Sequence, residues 1–121
     1  MSTRITEASI RHMVDLFYAR IQDDAALGPV FDSKLAGHWH EHMPSMYAFW
    51  TKVLLGTGEF HSNVYGKHMA LTGISRDHFV RWLALFRATA LEVFGPDEAG
   101  GAVQVAERIA ESLQLGFFGH A

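Results

Sequence analysis

The chain has 121 residues with 49% hydrophobic and 12% aromatic content, which suits a single domain spanning 1–121 built on one generous core. Ten Lys and Arg against thirteen Asp and Glu leave a net charge of −3 and no basic stripe, so nucleic acid and anionic membrane are poor partners and a small neutral ligand fits better. The absence of cysteine excludes disulfides, iron–sulfur clusters and thiol catalysis, so any metal must be held by nitrogen or oxygen.

The apolar residues keep a helical period almost throughout, which predicts an all-α fold. Thr6 is placed to cap a first helix whose stripe is Ile10, Met13, Val14, Phe17, Tyr18 and Ile21, ending near Asp23-Asp24, with Tyr18 on the buried side. Leu27-Gly28-Pro29 reads as a turn, with Pro29 starting a short helix that carries Val30, Phe31 and Leu35 before Gly37. A longer helix follows, in which Trp39, His42, Met46, Phe49, Trp50, Val53 and Leu54 recur at three- and four-residue steps. Pro44 conflicts with a helix interior, so the regular helix is expected to begin close to His42–Pro44, leaving His42 at a loose start. Gly56-Thr57-Gly58 stops that helix, and residues 59–66 read as an irregular loop leading to a short helical turn at His68 that Thr72-Gly73 breaks. Ser75 can cap the next helix, whose inner face is Phe79, Trp82, Leu83, Phe86, Ala90, Val93 and Phe94, until Gly95-Pro96 ends it. The last helix is expected from about Ala102, with Ala106, Ile109, Leu113 and Phe117 inward and Glu107, Arg108 and Glu111 outward. No apolar run approaches the roughly 20 residues of a membrane span, and Ser2-Thr3-Arg4 gives no apolar leader, so the expected location is the cytoplasm.

Two histidine groupings carry possible metal chemistry. His68 sits among apolar neighbours in Lys67-His68-Met69-Ala70-Leu71, and an imidazole so placed, on a chain with no thiolate, is one of the few groups able to ligate a haem iron. The bland rival is a hydrogen-bonded core histidine. His38, His40 and His42 invite a zinc reading, but residues two apart point to opposite sides of a helix, and only His38 and His42 have helical pairing distance.

Together, Phe17-Tyr18, the run from Leu27 to Phe31, the run from Trp39 to Pro44, Phe49-Trp50, Leu54 to Gly58, Lys67-His68 and the run from His78 to Phe86 resemble the truncated haemoglobins, and within them the third group. The glycine pairs that mark the other two groups are absent from the early connections, and Gly100-Gly101 falls too late to be one. The resemblance implies a shortened globin in which two antiparallel helix pairs sandwich a b-type haem, with His68 as the proximal ligand and Tyr18, His42 and Trp82 on the distal side. It implies an apolar wall of Phe31, Met46, Phe49, Trp50, Leu54, Phe79, Leu83 and Phe86, with Lys67 in reach of a haem propionate.

A haem protein of this kind would bind O2, CO and NO reversibly. Three distal donors would slow O2 release, which suits redox chemistry on O2, NO or peroxide, as in an NO dioxygenase or a peroxidase, better than rapid oxygen transport. A reductase would then be needed as partner. Two rivals stand beside this reading: a helical module that binds an apolar small molecule without iron chemistry, and a haem-based gas sensor.

Overall fold

The structure, a computed structural model, describes residues 4–56 and 75–118. The described residues form five helices and no strand: α1 Glu7–Asp23, α2 Leu27–Leu35, α3 Trp39–Leu55, α4 Arg76–Phe94 and α5 Pro96–Phe118. The short helical turn expected at His68 lies outside the described residues, and so do His68 and Lys67 themselves.

Each helix start has an identifiable chemical cause. Thr6 and Ser9 form a reciprocal cap on α1, the Ser9 N–H donating to the Thr6 hydroxyl at 3.1 Å and the Thr6 N–H to the Ser9 hydroxyl at 2.8 Å. Helix α2 begins at Leu27, two residues earlier than Pro29 suggests, because the Asp24 Oδ1 accepts both the Ala26 and the Leu27 N–H at 2.9 Å. Pro29 is then the third helical residue, where an amide would have no intrahelical acceptor anyway. Gly28 is needed for a different reason from a turn: a Cβ there would lie 2.6 Å from the Gln22 carbonyl oxygen, so only glycine lets α2 approach the end of α1 this closely.

Helix α3 also starts earlier than Pro44 suggests. It begins at Trp39 and carries Pro44 inside it, and the His42 N–H donates to the His38 carbonyl at 3.1 Å. His42 therefore lies on a hydrogen-bonded first turn rather than a loose end, and the cost of Pro44 is confined to the one bond its missing N–H would have made to the His40 carbonyl. Trp39 fastens this turn to α2 through its indole N–H, which donates to the Asp32 Oδ1 at 2.8 Å. Gly56 closes the helix in the left-handed region at φ 69°.

At the start of α4, the Ser75 N–H donates to the His78 Nδ1 at 2.9 Å, which gives His78 a capping role. Gly95, at φ 81°, turns the chain straight into α5, which begins at Pro96 rather than Ala102. Pro96 is a favourable first helical residue, and Gly100 and Gly101 lie within the helix instead of preceding it.

The core is aromatic where α1, α3 and α4 meet and small where α4 meets α5. Ile10, Met13, Val14, Phe17 and Ile21 bury one face of α1 completely, each full burial contributing about 1.5–3 kcal/mol. Helix α1 packs against α2, α3 and α4, while α5 packs on α4 and α3. The α5 stripe is Ala99, Ala102, Ala106 and Ala110, and side chains this small let α5 lie close against Phe86, Ala90, Val93 and Phe94.

Polar ties fix α4 to α1. Arg81 reaches Asp24 with both arms, Nε to Oδ1 at 3.0 Å and Nη2 to Oδ2 at 2.9 Å. The Arg81 hydrogen bond chiefly holds the Asp24 carboxyl down at about 2. One carboxylate thus starts α2 and anchors α4. A second tie joins Arg20 to the Thr89 hydroxyl at 3.0 Å and to Glu92.

Two stability predictions follow from these local arrangements. A Cβ on Gly100 would meet nothing within 4 Å, so Gly100→Ala should raise stability by about 0.5–1 kcal/mol and the melting temperature by several degrees in a thermal scan. Because the Asp24 pKa is lower folded than unfolded, its contribution is complete above the usual 3.8 and is lost as pH falls toward about 2. Asp24→Asn should therefore lower stability at neutral pH by about 1 kcal/mol and flatten the acid side of the stability curve, measured by urea unfolding at successive pH values.

Candidate functional site

The residues expected around the ligand are brought together by the three helices that carry the longest aromatic stripes. Tyr18 comes from α1, Met46, Phe49, Trp50 and Leu54 from α3, and Trp82, Leu83 and Phe86 from α4, and all belong to one packed cluster. The periods explain the convergence: Phe17 and Tyr18 extend the buried face of α1, while steps of four place Met46, Trp50 and Leu54 in one row along α3.

The rings interlock at defined angles. Trp50 stacks on Phe86 with centroids 4.9 Å apart and on Trp82 at 6.4 Å. Phe17 presents edges to Trp82 at 5.6 Å and to Phe86 at 5.2 Å, and lies 5.0 Å from Tyr18. Tyr18 in turn meets Phe31 at 6.5 Å and Trp39 at 6.4 Å. Offset and edge-on pairs of this kind contribute about 0.5–1.5 kcal/mol each beyond their burial. Phe79 departs from the expected set: it packs in a smaller cluster with Ala110 and Leu113 of α5, bridged to the main one by Trp82 and Leu83.

Polar atoms are few here, and that scarcity is informative. Tyr18 is 5% exposed, and burial pushes its hydroxyl up to about 12, with the Trp50 indole acting in the opposite direction. Tyr18 is therefore a neutral O–H donor across the physiological range. Trp50 is 1% exposed, and among the described residues its indole Nε1 closes no hydrogen bond of normal geometry. Trp82 and His42 are half-buried. An aromatic wall that, among the described residues, holds N–H and O–H donors but no carboxylate fits a flat apolar cofactor whose small ligand accepts hydrogen bonds.

The nitrogen donors outside this cluster behave differently. His38 lies 3.5 Å from Glu41 and is largely exposed, as is His40, and among the described residues no three His, Asp or Glu side chains converge on a point.

Two features lie outside the expected wall. Trp39 belongs to the ring system around Tyr18, stacking on Phe31 at 6.3 Å, and its place in the α3 stripe was the available signal. A groove of about 510 Å³ lies between α3 and α5, lined by Phe49, Val53, Val105, Arg108, Ile109, Ser112 and Leu113. It shares only Phe49 with the expected wall.

Comparison with known proteins gives a consistent result. No family model matches the chain. A group 3 truncated hemoglobin, ctb, from Campylobacter jejuni subsp. jejuni is 29% identical over 113 residues, 91% of this chain and 89% of that protein. The crystal structure of group III truncated hemoglobin from Campylobacter jejuni superposes with a TM-score of 0.90 at 28% identity, covering 98% of this chain and 96% of that one. In both sequence and fold the chain is similar to group III truncated haemoglobins. The truncated globin architecture expected from the sequence is thus present, and in it α1, α3 and α4 supply the aromatic cluster around Tyr18. Among the described residues, no helix is long and apolar enough to cross a membrane.

Proposed function

We propose that the protein binds a b-type haem and uses it to hold O2, with CO and NO as alternative ligands, for redox chemistry rather than rapid delivery. The observation that carries this reading is the aromatic cluster with Tyr18, Trp50 and Trp82 at its centre, in a chain whose relatives in sequence and fold are truncated haemoglobins. When bound, the haem supplies a ferrous iron able to take up a diatomic gas.

The chain's own residues have separate tasks. His68, beyond the described residues, offers a neutral imidazole nitrogen to the iron, and Lys67 beside it offers a cation to a propionate. Phe31, Met46, Phe49, Trp50, Leu54, Leu83 and Phe86 supply apolar wall and exclude water, and Phe79 supports that wall from its contact with α5. Tyr18 and Trp82 donate hydrogen bonds to the ligand: the phenol is kept protonated by burial, and the indole N–H is a donor only. His42, whose backbone is held on the first turn of α3, serves as a third donor or as a gate. A ligand gripped by several donors leaves slowly and has time to react, which favours turnover of O2 with NO, or of peroxide, supported by a reductase. The cytoplasm is the expected setting.

The direct test replaces the iron ligand. His68→Gly should give protein that loses haem readily and regains a globin-like ferrous–CO spectrum when imidazole is added. A native spectrum and native haem retention in His68→Gly would move the ligand elsewhere.

The donors are tested by deleting single polar groups. Tyr18→Phe and Trp82→Phe should each raise the O2 dissociation rate about ten- to hundredfold, the effect of losing about 1.5–3 kcal/mol of hydrogen bonding, with little change in CO binding. Unchanged O2 dissociation alongside lower thermal stability would make both residues core aromatics. For His42→Leu, faster CO entry identifies a gate and faster O2 release a donor; no change in either removes it from the site.

A further inference from the structure

Trp50 was expected as apolar wall, yet its position among the donors gives it a second task. Its ring is stacked on Trp82 at 6.4 Å and on Phe86 at 4.9 Å, and Phe17, which meets both of those rings edge-on, lies 5.0 Å from Tyr18. Trp50 therefore belongs to the ring system that holds both proposed oxygen donors. Its indole Nε1 is buried on a side chain 1% exposed and, among the described residues, has no acceptor of hydrogen-bonding geometry. A buried N–H without a partner costs about 1–3 kcal/mol, so it is kept only where something compensates it. The other two indoles differ: Trp39 donates to Asp32 at 2.8 Å, and Trp82 is half-buried.

We propose that Trp50 is a positioning residue for Tyr18: its otherwise unpartnered indole N–H engages the Tyr18 hydroxyl oxygen when the pocket is filled, which aims the phenolic proton at the bound ligand. The inference rests on the haem reading above and deepens it. A phenol that accepts from Trp50 can donate in one remaining direction, and a hydroxyl polarised in this way is the stronger donor. The pull that the Trp50 indole exerts on the Tyr18 hydroxyl, against the upward push of burial, has the sense this contact requires. The indole of Trp50 is thus a means of fixing a proton that would otherwise rotate freely, and its stacking on Trp82 ties the second donor to the same unit.

The test uses the haem-loaded, ferrous–CO protein, which is diamagnetic, and follows the three indole N–H resonances by NMR. Trp50→Phe identifies its own signal. Tyr18→Phe should then shift the Trp50 indole resonance upfield and leave that of Trp39 in place. In kinetics, Trp50→Phe should raise O2 dissociation by about two- to tenfold, the worth of one ordinary hydrogen bond, and the double variant should match Tyr18→Phe alone because Trp50 acts through Tyr18. Ile10→Ala supplies a packing control: it opens a cavity on α1, lowers stability, and should leave both the indole signals of Trp50 and O2 release unchanged. An unmoved Trp50 resonance in Tyr18→Phe, or effects of the two substitutions that simply add, would overturn the proposal. If Tyr18→Phe leaves O2 release unchanged but moves the Trp50 resonance, the contact stands and the ligand role of Tyr18 fails, which separates this inference from the reading it rests on.

Discussion

Burying an aromatic ring with a polar tip forces a decision about where the tip points, and the centre of this molecule is arranged around that decision. The stripe that folds α1 against its neighbours includes Tyr18, so burying the apolar face of α1 also takes a phenol out of water. An isolated hydroxyl in an apolar surrounding is unfavourable, and ionising it is more so, which is why the group is pushed up to about 12. The surrounding rings cannot accept its proton strongly. A ligand that accepts hydrogen bonds would give the phenol its acceptor, and the phenol oxygen in turn offers one to the indole N–H of Trp50.

The rest of the fold serves to hold that centre in register. Asp24 ends the α1 segment, starts α2 and grips Arg81, the residue preceding Trp82, so the helices bearing Tyr18 and Trp82 share one anchor. Gly28 lets α2 come close enough to α1 for Phe31 to meet Tyr18. The alanine stripe of α5 supports α4 from the far side without pushing it out of line. These are inexpensive residues chemically, and their effect is to fix where the expensive ones sit.

The sequence was legible where a single period governs. The α1 and α4 stripes, the Thr6 cap, and the stops at Gly56 and Gly95 follow from helical spacing and from which residues tolerate a positive φ. It misleads at proline: Pro29 and Pro44 both lie inside helices, the first because the third helical position needs no donor, the second because tertiary packing of Trp39, Met46 and Trp50 outweighs one lost bond. The start of α5 was missed because Gly100-Gly101 reads as a break, although glycine in a helix costs only about 1 kcal/mol each. The place of Tyr18, Trp50 and Trp82 in the aromatic cluster is readable from their stripes, but the unpartnered state of the Trp50 indole is not, since it depends on where every nearby acceptor lies.

If this aromatic cluster is the wall of a haem pocket, titrating the haem-free protein with haemin will fill it. A Soret band that sharpens and saturates at one equivalent, with tryptophan fluorescence quenched over the same range because Trp50 and Trp82 lie in the wall, is the predicted result. A broad band that keeps rising without saturation, with fluorescence unchanged, would contradict it.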